Sequence, residues 1–341
     1  MLALQKLKIG EERLELCEVP EPVLRPGHVV LDVAAAGICG TDVHIMKDEY
    51  RCEPPVTLGH EVAGTIAAVA EDVEGWRIGQ RVVSETYFSV CGRCEYCRTG
   101  RPNLCAQRRS IGSFEPGGFA RRVLVPVTNL HALPDSMGFP EAALVEPLAC
   151  VVRGLLERNH LDAGDRVVIT GPGAIGLLAL QVALAAGARV LMLGTRADAD
   201  RLALATRLGA EGVLEVESVT DMARAVSERL GAAPEVVVEC SGAAPAASLL
   251  LQVVKRSGRF VQVGLYGAPI ALDMDQVCYK ELSVTGSFAT TPSSWYRAMA
   301  LVTSGAVSLA DIVGEVHPLA DWARAFEAVE RRAAGKVLLV P

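Results

Sequence analysis

The sequence has no hydrophobic run long enough to cross a membrane. Its longest apolar stretch, 174–188, is short and is interrupted by Gln181, whereas a spanning helix needs about 20 apolar residues. The first residues also lack the apolar segment of a secretory signal, because charged residues follow almost at once. We therefore expect no membrane partner and a cytoplasmic location.

Two other patterns are missing, and each narrows the class of protein. No stripe of Lys and Arg is present, and the net charge is −7, so nucleic acid is not expected as a partner. The chain has 10 cysteines, but those outside one cluster are scattered and do not form a disulfide-like framework. This use of cysteine fits a reducing compartment.

One cysteine cluster is present, with the spacing C-x2-C-x2-C-x7-C. Its members are Cys91, Cys94, Cys97 and Cys105. Four thiolates so close in sequence can form the closed tetrahedral site that structural zinc favours. The intervening residues are too polar to fold by themselves, so a metal would supply the folding energy. The alternatives are unrelated cysteines or an iron–sulfur cluster, whose usual run has a shorter last gap.

The order of elements predicts an α/β protein with two domains. At 341 residues the chain is too long for one core. Residues 1–147 read as strands and turns, whereas 148–288 alternate apolar strands with amphipathic helices, the pattern of a doubly wound parallel sheet. We expect 289–341 to return to the first domain and the cysteine lobe to span 88–106.

A dinucleotide fingerprint lies at the start of the second domain. The glycines of G-x-G-x-x-G are Gly171, Gly173 and Gly176, and the segment includes Ala174 and Ile175. It follows an apolar strand and opens a helix, which is the context that the motif requires. The helix N-terminus would receive the phosphates of a nicotinamide dinucleotide.

The end of the next strand favours NADP over NAD. An NAD site usually has an acidic residue there to bind the ribose 2′-hydroxyl, but this chain reads Gly194-Thr195-Arg196. Arg196 could bind a 2′-phosphate, with Thr195 adding a hydroxyl. Alternatively Arg196 is solvated and Asp198 caps the following helix.

A second possible metal site combines different ligand types. Cys39 and the pair His60-Glu61 lie on two short segments of the first domain, and Glu146 lies at its end. Mixed sulfur, nitrogen and oxygen ligands with an exchangeable position are typical of catalytic zinc.

Taken together, these motifs make the chain resemble the zinc-containing medium-chain alcohol dehydrogenases over essentially its full length. The motif Gly59-His60-Glu61-x2-Gly64-x5-Ala70-x2-Val73, the four-cysteine lobe and the Rossmann glycines occur in the family's order. The resemblance is strongest to the sorbitol (polyol) and threonine dehydrogenase branch. It implies a GroES-like catalytic domain, a Rossmann domain, and a homotetramer or homodimer.

The resemblance also implies roles for individual residues. Cys39, His60 and Glu61 would bind the catalytic zinc, and Glu146 would bind the metal or its water. Thr41 would take a proton from the alcohol and His44 would pass it to solvent, while Asp42 would hold the other ring nitrogen of His60. Lys336 would contact the pyrophosphate. The alternatives are that Lys336 is a solvated lysine and that His44 is a surface imidazole.

The expected function is hydride transfer between a secondary alcohol and NAD(P), giving a ketone. Segment 39–45 has the form of threonine dehydrogenases, whereas Glu146-Pro147-Leu148-Ala149 resembles the polyol enzymes. We favour a polyol or sugar alcohol because the second segment lies at the metal. L-threonine remains the alternative substrate, and a non-catalytic nucleotide-binding or structural protein is the alternative of another class.

Overall fold

The chain divides into two units of different architecture. The structure is a computed structural model that describes residues 1–341. The first unit comprises Met1–Glu146, Val313–Arg331 and Lys336–Pro341, and the second comprises Pro147–Ile312 and Arg332–Gly335.

The first unit is mostly β-structure. Its strands are β1 (Leu2–Lys6), β2 (Glu15–Glu18), β3 (His28–Gly37), β4 (Val56–Thr57), β5 (Glu61–Val69), β6 (Arg81–Ser84), β7 (Tyr87–Ser89), β8 (Arg109–Ser110), β9 (Arg122–Pro126), β10 (Leu130–Ala132), β17 (Val313–Pro318) and β18 (Lys336–Val340). Its helices are α1 (Gly40–Met46), α2 (Glu95–Arg98), α3 (Phe139–Ala143) and α11 (Trp322–Glu330). The helix α4 (Val145–Val152) carries the chain into the second unit.

A seven-stranded sheet organises the first unit. Its order is β10-β6-β5-β3-β18-β17, and β9 also pairs with β3. The register places Gly37, at the end of β3, opposite Glu61 on β5 and opposite Leu338 on β18. The starts of β5 and β18 therefore lie on either side of the end of β3. Smaller sheets of order β2-β1-β4 and β7-β8 complete the unit.

The second unit contains six parallel strands with helices between them. The strands are β11 (Arg166–Thr170), β12 (Arg189–Gly194), β13 (Gly212–Glu215), β14 (Val236–Glu239), β15 (Arg259–Gln262) and β16 (Ser283–Gly286). The helices are α5 (Ala174–Ala185), α6 (Ala199–Arg207), α7 (Met222–Leu230), α8 (Ala244–Val253), α9 (Asp275–Tyr279) and α10 (Pro292–Thr303). The sheet order is β13-β12-β11-β14-β15-β16.

This strand order is that of the Rossmann fold. The order reverses between β11 and β14, and the crevice beyond the carboxyl ends at such a switch point binds dinucleotides. The central strands are fully buried apolar runs, as strands covered on both faces must be. Burying each of these Val or Ile side chains stabilises the fold by roughly 1.5–3 kcal/mol. The predicted doubly wound parallel sheet is confirmed.

The return to the first unit comes later than the expected residue 289. Residues 289–312, including α10, belong to the second unit, and the chain returns at Val313. The physical reason is hydrogen bonding within that unit. Arg153 donates to the Thr291 hydroxyl at 3.4 Å, and the Gln181 side chain exchanges two bonds with the backbone of Ser308. The sequence pattern of α10 shows a helix but not the sheet against which it packs.

None of the helices combines the length and the apolar composition that crossing a bilayer requires.

Candidate active site

Three of the four expected zinc ligands converge in the first unit. The Cys39 sulfur, a ring nitrogen of His60 and a carboxylate oxygen of Glu61 all lie within 4.8 Å of one another. Cys39 precedes α1, and the pair His60-Glu61 enters β5. The group thus contains one residue before the start of α1 and two residues at the start of β5. These are the two short segments on which the sequence analysis placed the ligands.

The Glu61 carboxylate shows that the cluster is suited to a cation. It is fully buried, and its Oε1 accepts a hydrogen bond from the Lys336 ammonium at 2.5 Å. Its Oε2 has no hydrogen-bond partner. A buried carboxylate oxygen without a partner is costly, so this oxygen is available as a metal ligand. Sulfur, imidazole and carboxylate together form a donor set that suits Zn²⁺.

Gly37 leaves the room that this carboxylate occupies. A Cβ atom built at Gly37 would overlap Glu61 Oε2 and would come within 2.9 Å of Lys336 Cε. The sheet register brings these residues together, because Gly37 is paired with Glu61 and lies beside β18. Sequence reasoning missed Gly37, since no local turn or motif marks it.

Asp42 holds the two ligand segments together, in a different way from that expected. It is fully buried, and its carboxylate accepts from the backbone N–H of Cys39 at 2.8 Å and of Gly59 at 3.2 Å. The distance from its Oδ1 to His60 Nδ1 is 3.8 Å, too long for a hydrogen bond. The expected bond to the imidazole is therefore replaced by two backbone bonds, because the N–H groups reach the same oxygens more closely.

The charges around His60 are predominantly negative. Burial disfavours a charged imidazole, but Asp42, Cys39 and Glu146 outweigh it and hold the pKa of His60 well above its usual value. Burial likewise raises the pKa of Asp42. These negative charges favour a proton on the buried His60 imidazole. A divalent cation bound in place of that proton would stabilise the cluster.

Glu146 lies outside the group of three ligands. It is buried, and its Oε1 accepts from the Thr86 hydroxyl at 3.0 Å. Burial raises the pKa of Glu146, while His60 and the Thr86 hydrogen bond oppose that rise. The Glu146 carboxylate is thus close enough to interact electrostatically with His60 and Glu61, but it is not one of the three grouped ligands. Thr86 carries no sequence signal that could have identified it.

The two residues expected to move a proton lie on α1. Thr41 Oγ1 is 3.7 Å from the Cys39 sulfur. His44 is three residues further along the same helical face, and its Nδ1 is 2.6 Å from Glu49 Oε2. The His44 side chain is 26% exposed, so it has access to solvent.

Lys336 occupies a different place from the one expected. Instead of facing a pyrophosphate, its ammonium is buried and pairs with Glu61. Burial disfavours the charged amine, but the negative charges of Glu61, Cys39 and Glu146 raise the pKa of Lys336. Lys336 is the first residue of β18, and the sheet register described above places it beside Glu61.

The four cysteines of the lobe form a second cluster. Their sulfur atoms lie within 4.8 Å of one another, and backbone N–H groups of Cys94 and Cys97 donate to the sulfurs of Cys91 and Cys94 at 3.4 and 3.5 Å. Backbone N–H groups lower the pKa of Cys91 to about 6. Burial and the neighbouring thiols raise the pKa of Cys97 to about 12. Four cysteine sulfurs this close can bind a metal ion in place of their protons, and tetrahedral zinc fits them.

The fingerprint glycines form a tight turn before α5 in the second unit. Gly171 has φ +82° and lies against Ser241, so any Cβ there would clash at 2.7 Å. A Cβ at Gly176 would overlap the Gly171 carbonyl oxygen. Gly173 precedes α5, where Ala174 and Ile175 form the first turn, and no side chain caps this N-terminus. Its free N–H groups suit a pyrophosphate.

Arginine side chains surround the end of β12. Arg196 is mostly exposed, and its Nε donates to Glu215 at 3.1 Å. Arg332 donates to the Thr195 hydroxyl at 2.8 Å and to the buried Asp198 carboxylate at 3.1 Å. Asp198 also accepts from the Thr195 backbone N–H at 3.0 Å. The Asp198 carboxylate is thereby engaged in capping the turn that follows β12. Sequence reasoning missed Arg332, which lies 137 residues from Thr195.

The mostly-β unit, the Rossmann unit and the two candidate metal clusters are together the features of the zinc-binding class of oxidoreductases. Two family models match the chain: the alcohol dehydrogenase GroES-like domain over residues 25–135 and the zinc-binding dehydrogenase domain over residues 174–304. The chain belongs to the zinc-binding alcohol dehydrogenase family. The expected family and its GroES-like and Rossmann domains are confirmed.

Individual relatives extend over the whole chain. A sorbitol dehydrogenase from Halalkalibacterium halodurans is 38% identical, covering 100% of this chain and 99% of the relative. A D-arabitol-phosphate dehydrogenase from Enterococcus avium is 36% identical, covering 99% and 97%. Among solved structures, a protein described as a zinc-binding dehydrogenase from Sinorhizobium meliloti 1021, bound to NADP, has a TM-score of 0.88 and 32% identity, covering 100% and 99%.

Proposed function

We propose that the protein is a zinc-dependent dehydrogenase that oxidises a secondary alcohol of a polyol or sugar alcohol to a ketone, with NAD(P) as hydride acceptor. The observation that carries this proposal is the group of Cys39, His60 and Glu61, in which the fully buried Glu61 has its Oε2 without a partner. Two relatives named for polyol substrates support the substrate class.

The chain's own residues would hold the metal and move the proton. Cys39, His60 and Glu61 would bind the catalytic zinc, with Glu146 as the nearby carboxylate that exchanges with Glu61 or holds water. Zinc, when bound, can lower the pKa of a water ligand far below its bulk value, to about 7. Thr41 would accept the alcohol proton and His44 would deliver it to solvent, since the His44 imidazole lies on the same helix and is partly exposed. The four-cysteine cluster would hold a second, structural zinc.

Metal analysis tests this assignment directly. We expect two zinc ions per chain, measured by elemental analysis of protein purified without added metal. A chain with one zinc or none would support a non-catalytic nucleotide-binding or structural protein instead. Because the two clusters use different residues, a Cys39→Ala variant should lose one zinc and a Cys97→Ser variant the other.

The substrate is tested by a panel of alcohols. Polyols, simple secondary alcohols and L-threonine should be compared by kcat/KM with both nicotinamides. We expect a polyol to be oxidised best, because the Glu146-Pro147-Leu148-Ala149 segment is polyol-like. The form of segment 39–45 favours L-threonine as the second candidate, and oxidation of threonine alone would reverse this ranking.

For the coenzyme, we propose NADP over NAD. The support is the pair of arginines at the end of β12, Arg196 and Arg332, and the engagement of the Asp198 carboxylate by Thr195 and Arg332. Arg332→Ala should raise the dissociation constant of NADPH about tenfold and leave that of NADH nearly unchanged. Arg224→Ala, which removes an exposed arginine paired with Glu228, is the matched control. Tighter binding of NADH than NADPH by the unmodified protein would refute the proposal.

We also propose that the protein is a homo-oligomer. In support, β16 is an edge strand of the parallel sheet, and its Val284 side chain is exposed. Unpaired edge strands favour association with another chain. Light scattering coupled to size exclusion would distinguish a dimer or tetramer from a monomer.

A further inference from the structure

A buried carboxylate lies at the carboxyl edge of the parallel sheet, apart from both metal clusters. Glu239 is the last residue of β14 and is fully buried. Its side chain accepts from the backbone N–H of Ser241 at 2.8 Å and of Gly242 at 3.1 Å, and from the Ser241 hydroxyl. It also accepts from Gln262 Nε2 at 3.1 Å and from the Thr170 hydroxyl at 3.4 Å.

These partners fit an ionised carboxylate whose charge is not neutralised. Two backbone N–H groups and the Gln262 amide can only donate to it, and the Ser241 and Thr170 hydroxyls can donate as well. None of them is charged, so the negative charge is stabilised by dipoles but is not cancelled by a cation. Such a charge, held in a medium of low dielectric constant, acts over several ångströms.

Two neighbouring groups respond to this charge. Burial and the nearby Glu239 carboxylate together raise the pKa of Tyr266 to about 12. The same two causes raise the pKa of Cys240 well above its usual value. Tyr266 donates to Gln262 at 2.6 Å, so the influence extends beyond the groups that Glu239 contacts.

The fold assigns a ligand to this edge. In a doubly wound sheet the dinucleotide spans the switch point, and each half of the sheet binds one mononucleotide. The fingerprint glycines and the arginines of β12 belong to the half that takes the adenosine phosphates. The half formed by β14, β15 and β16 is then left for the nicotinamide nucleotide. Glu239 also shapes this edge, because the Ser241 that it binds lies directly against Gly171.

We propose that the negative charge of Glu239 strengthens binding of the oxidised coenzyme relative to binding of the reduced coenzyme. The oxidised nicotinamide ring carries a positive charge and the reduced ring is neutral, so a fixed negative charge favours the oxidised form. Glu239 is thus a positioning and electrostatic residue, and the inference rests on the proposed use of a nicotinamide coenzyme. Its role is distinct from that of the residues that select between NAD and NADP.

The test is the ratio of two dissociation constants. Binding of NADPH and of NADP⁺ to the zinc-loaded protein is measured by calorimetry, and then repeated with NADH and NAD⁺. In Glu239→Gln, the dissociation constant of the oxidised form should rise about fivefold more than that of the reduced form. Loss of loop geometry would weaken both forms alike, since they share the adenosine and phosphates, and would leave the ratio unchanged.

Three further variants separate charge from structure. Gln262→Lys retains a donor to Glu239 but neutralises its charge, so it should shift the ratio in the same direction even if Glu239→Gln does not fold. Ser241→Ala removes a hydrogen bond and keeps the charge, so its ratio should equal that of the unmodified protein. Glu228→Gln removes an exposed carboxylate of α7 and should have no effect.

Failure of this inference can be distinguished from failure of the proposed function. If the unmodified protein binds no nicotinamide coenzyme, the proposed function and this inference are both wrong. If it binds the coenzyme and neither Glu239→Gln nor Gln262→Lys changes the ratio, only the inference is wrong.

Discussion

The two metal-type clusters of the first unit are built in opposite ways. The four cysteines of the lobe come from 15 consecutive residues, 91–105, of which only Asn103 and Cys105 are buried. The proposed catalytic cluster is the group of Cys39, His60 and Glu61, with Lys336 beside it. It joins the start of α1, the start of β5 and the start of β18, and Asp42 and Glu61 are fully buried.

This difference indicates what holds each cluster together. The lobe has no apolar core of its own, so we expect a bound metal to supply most of its local stability. The catalytic cluster is positioned by the register of a large sheet, and its geometry should persist without metal. Loss of a ligand should therefore affect chemistry at one site and folding at the other.

The largest effect is expected at the catalytic cluster. Cys39→Ala removes a ligand but no core packing, so kcat/KM should fall on the order of 10³-fold or more, with the melting temperature nearly unchanged. Kinetics, zinc content and calorimetry on the same preparation provide the check. Normal activity with full zinc occupancy would mean that Cys39 is not a ligand.

A glycine substitution tests how closely the cluster is packed. Gly37→Ala places a methyl group where the Glu61 carboxylate lies, so kcat/KM should fall about 100-fold through displacement of that ligand. Gly40→Ala is the matched control, because a Cβ at Gly40 has no atom within 4 Å. Equal activity of the two variants would show that Glu61 can move without consequence.

The backbone clamp of Asp42 should control metal affinity. Asp42→Asn substitutes an N–H₂ group for one acceptor oxygen, so either the Cys39 or the Gly59 N–H loses its partner. Zinc affinity should fall about 10–100-fold, measured by competition with a chelator. Asp72→Asn is the control, since exposed Asp72 accepts from the Gly27 N–H at 2.9 Å away from the cluster. Unchanged affinity in Asp42→Asn would contradict the clamp.

The smallest effect on chemistry is expected in the lobe. Cys97→Ser should lower the melting temperature by about 5 °C or weaken assembly, while the kcat of the folded fraction stays close to normal. Scanning calorimetry and light scattering measure this change. A variant with unaltered melting temperature and assembly would exclude a structural role for the lobe, and the contrast between the clusters would then fail.

The motifs that the sequence analysis could identify are local in sequence. The cysteine spacing, the fingerprint glycines and the pair His60-Glu61 are short patterns, and each follows from what a tetrahedral metal or a pyrophosphate requires of a few neighbouring residues. The parallel sheet was also predictable, because buried strands are continuous apolar runs separated by helices.

Tertiary structure alone decided the contacts between distant segments. Lys336 and Glu61 are 275 residues apart, and only the register of β3 with β5 and β18 brings them together with Gly37. Arg332 reaches Thr195 in the same long-range way, and α10 belongs to the second unit through hydrogen bonds that no periodicity reveals. The sequence by itself determined which elements and which ligand types exist, because these depend on local conformation and chemistry. The partner of each buried charge was settled only by packing, since it depends on which strands become neighbours.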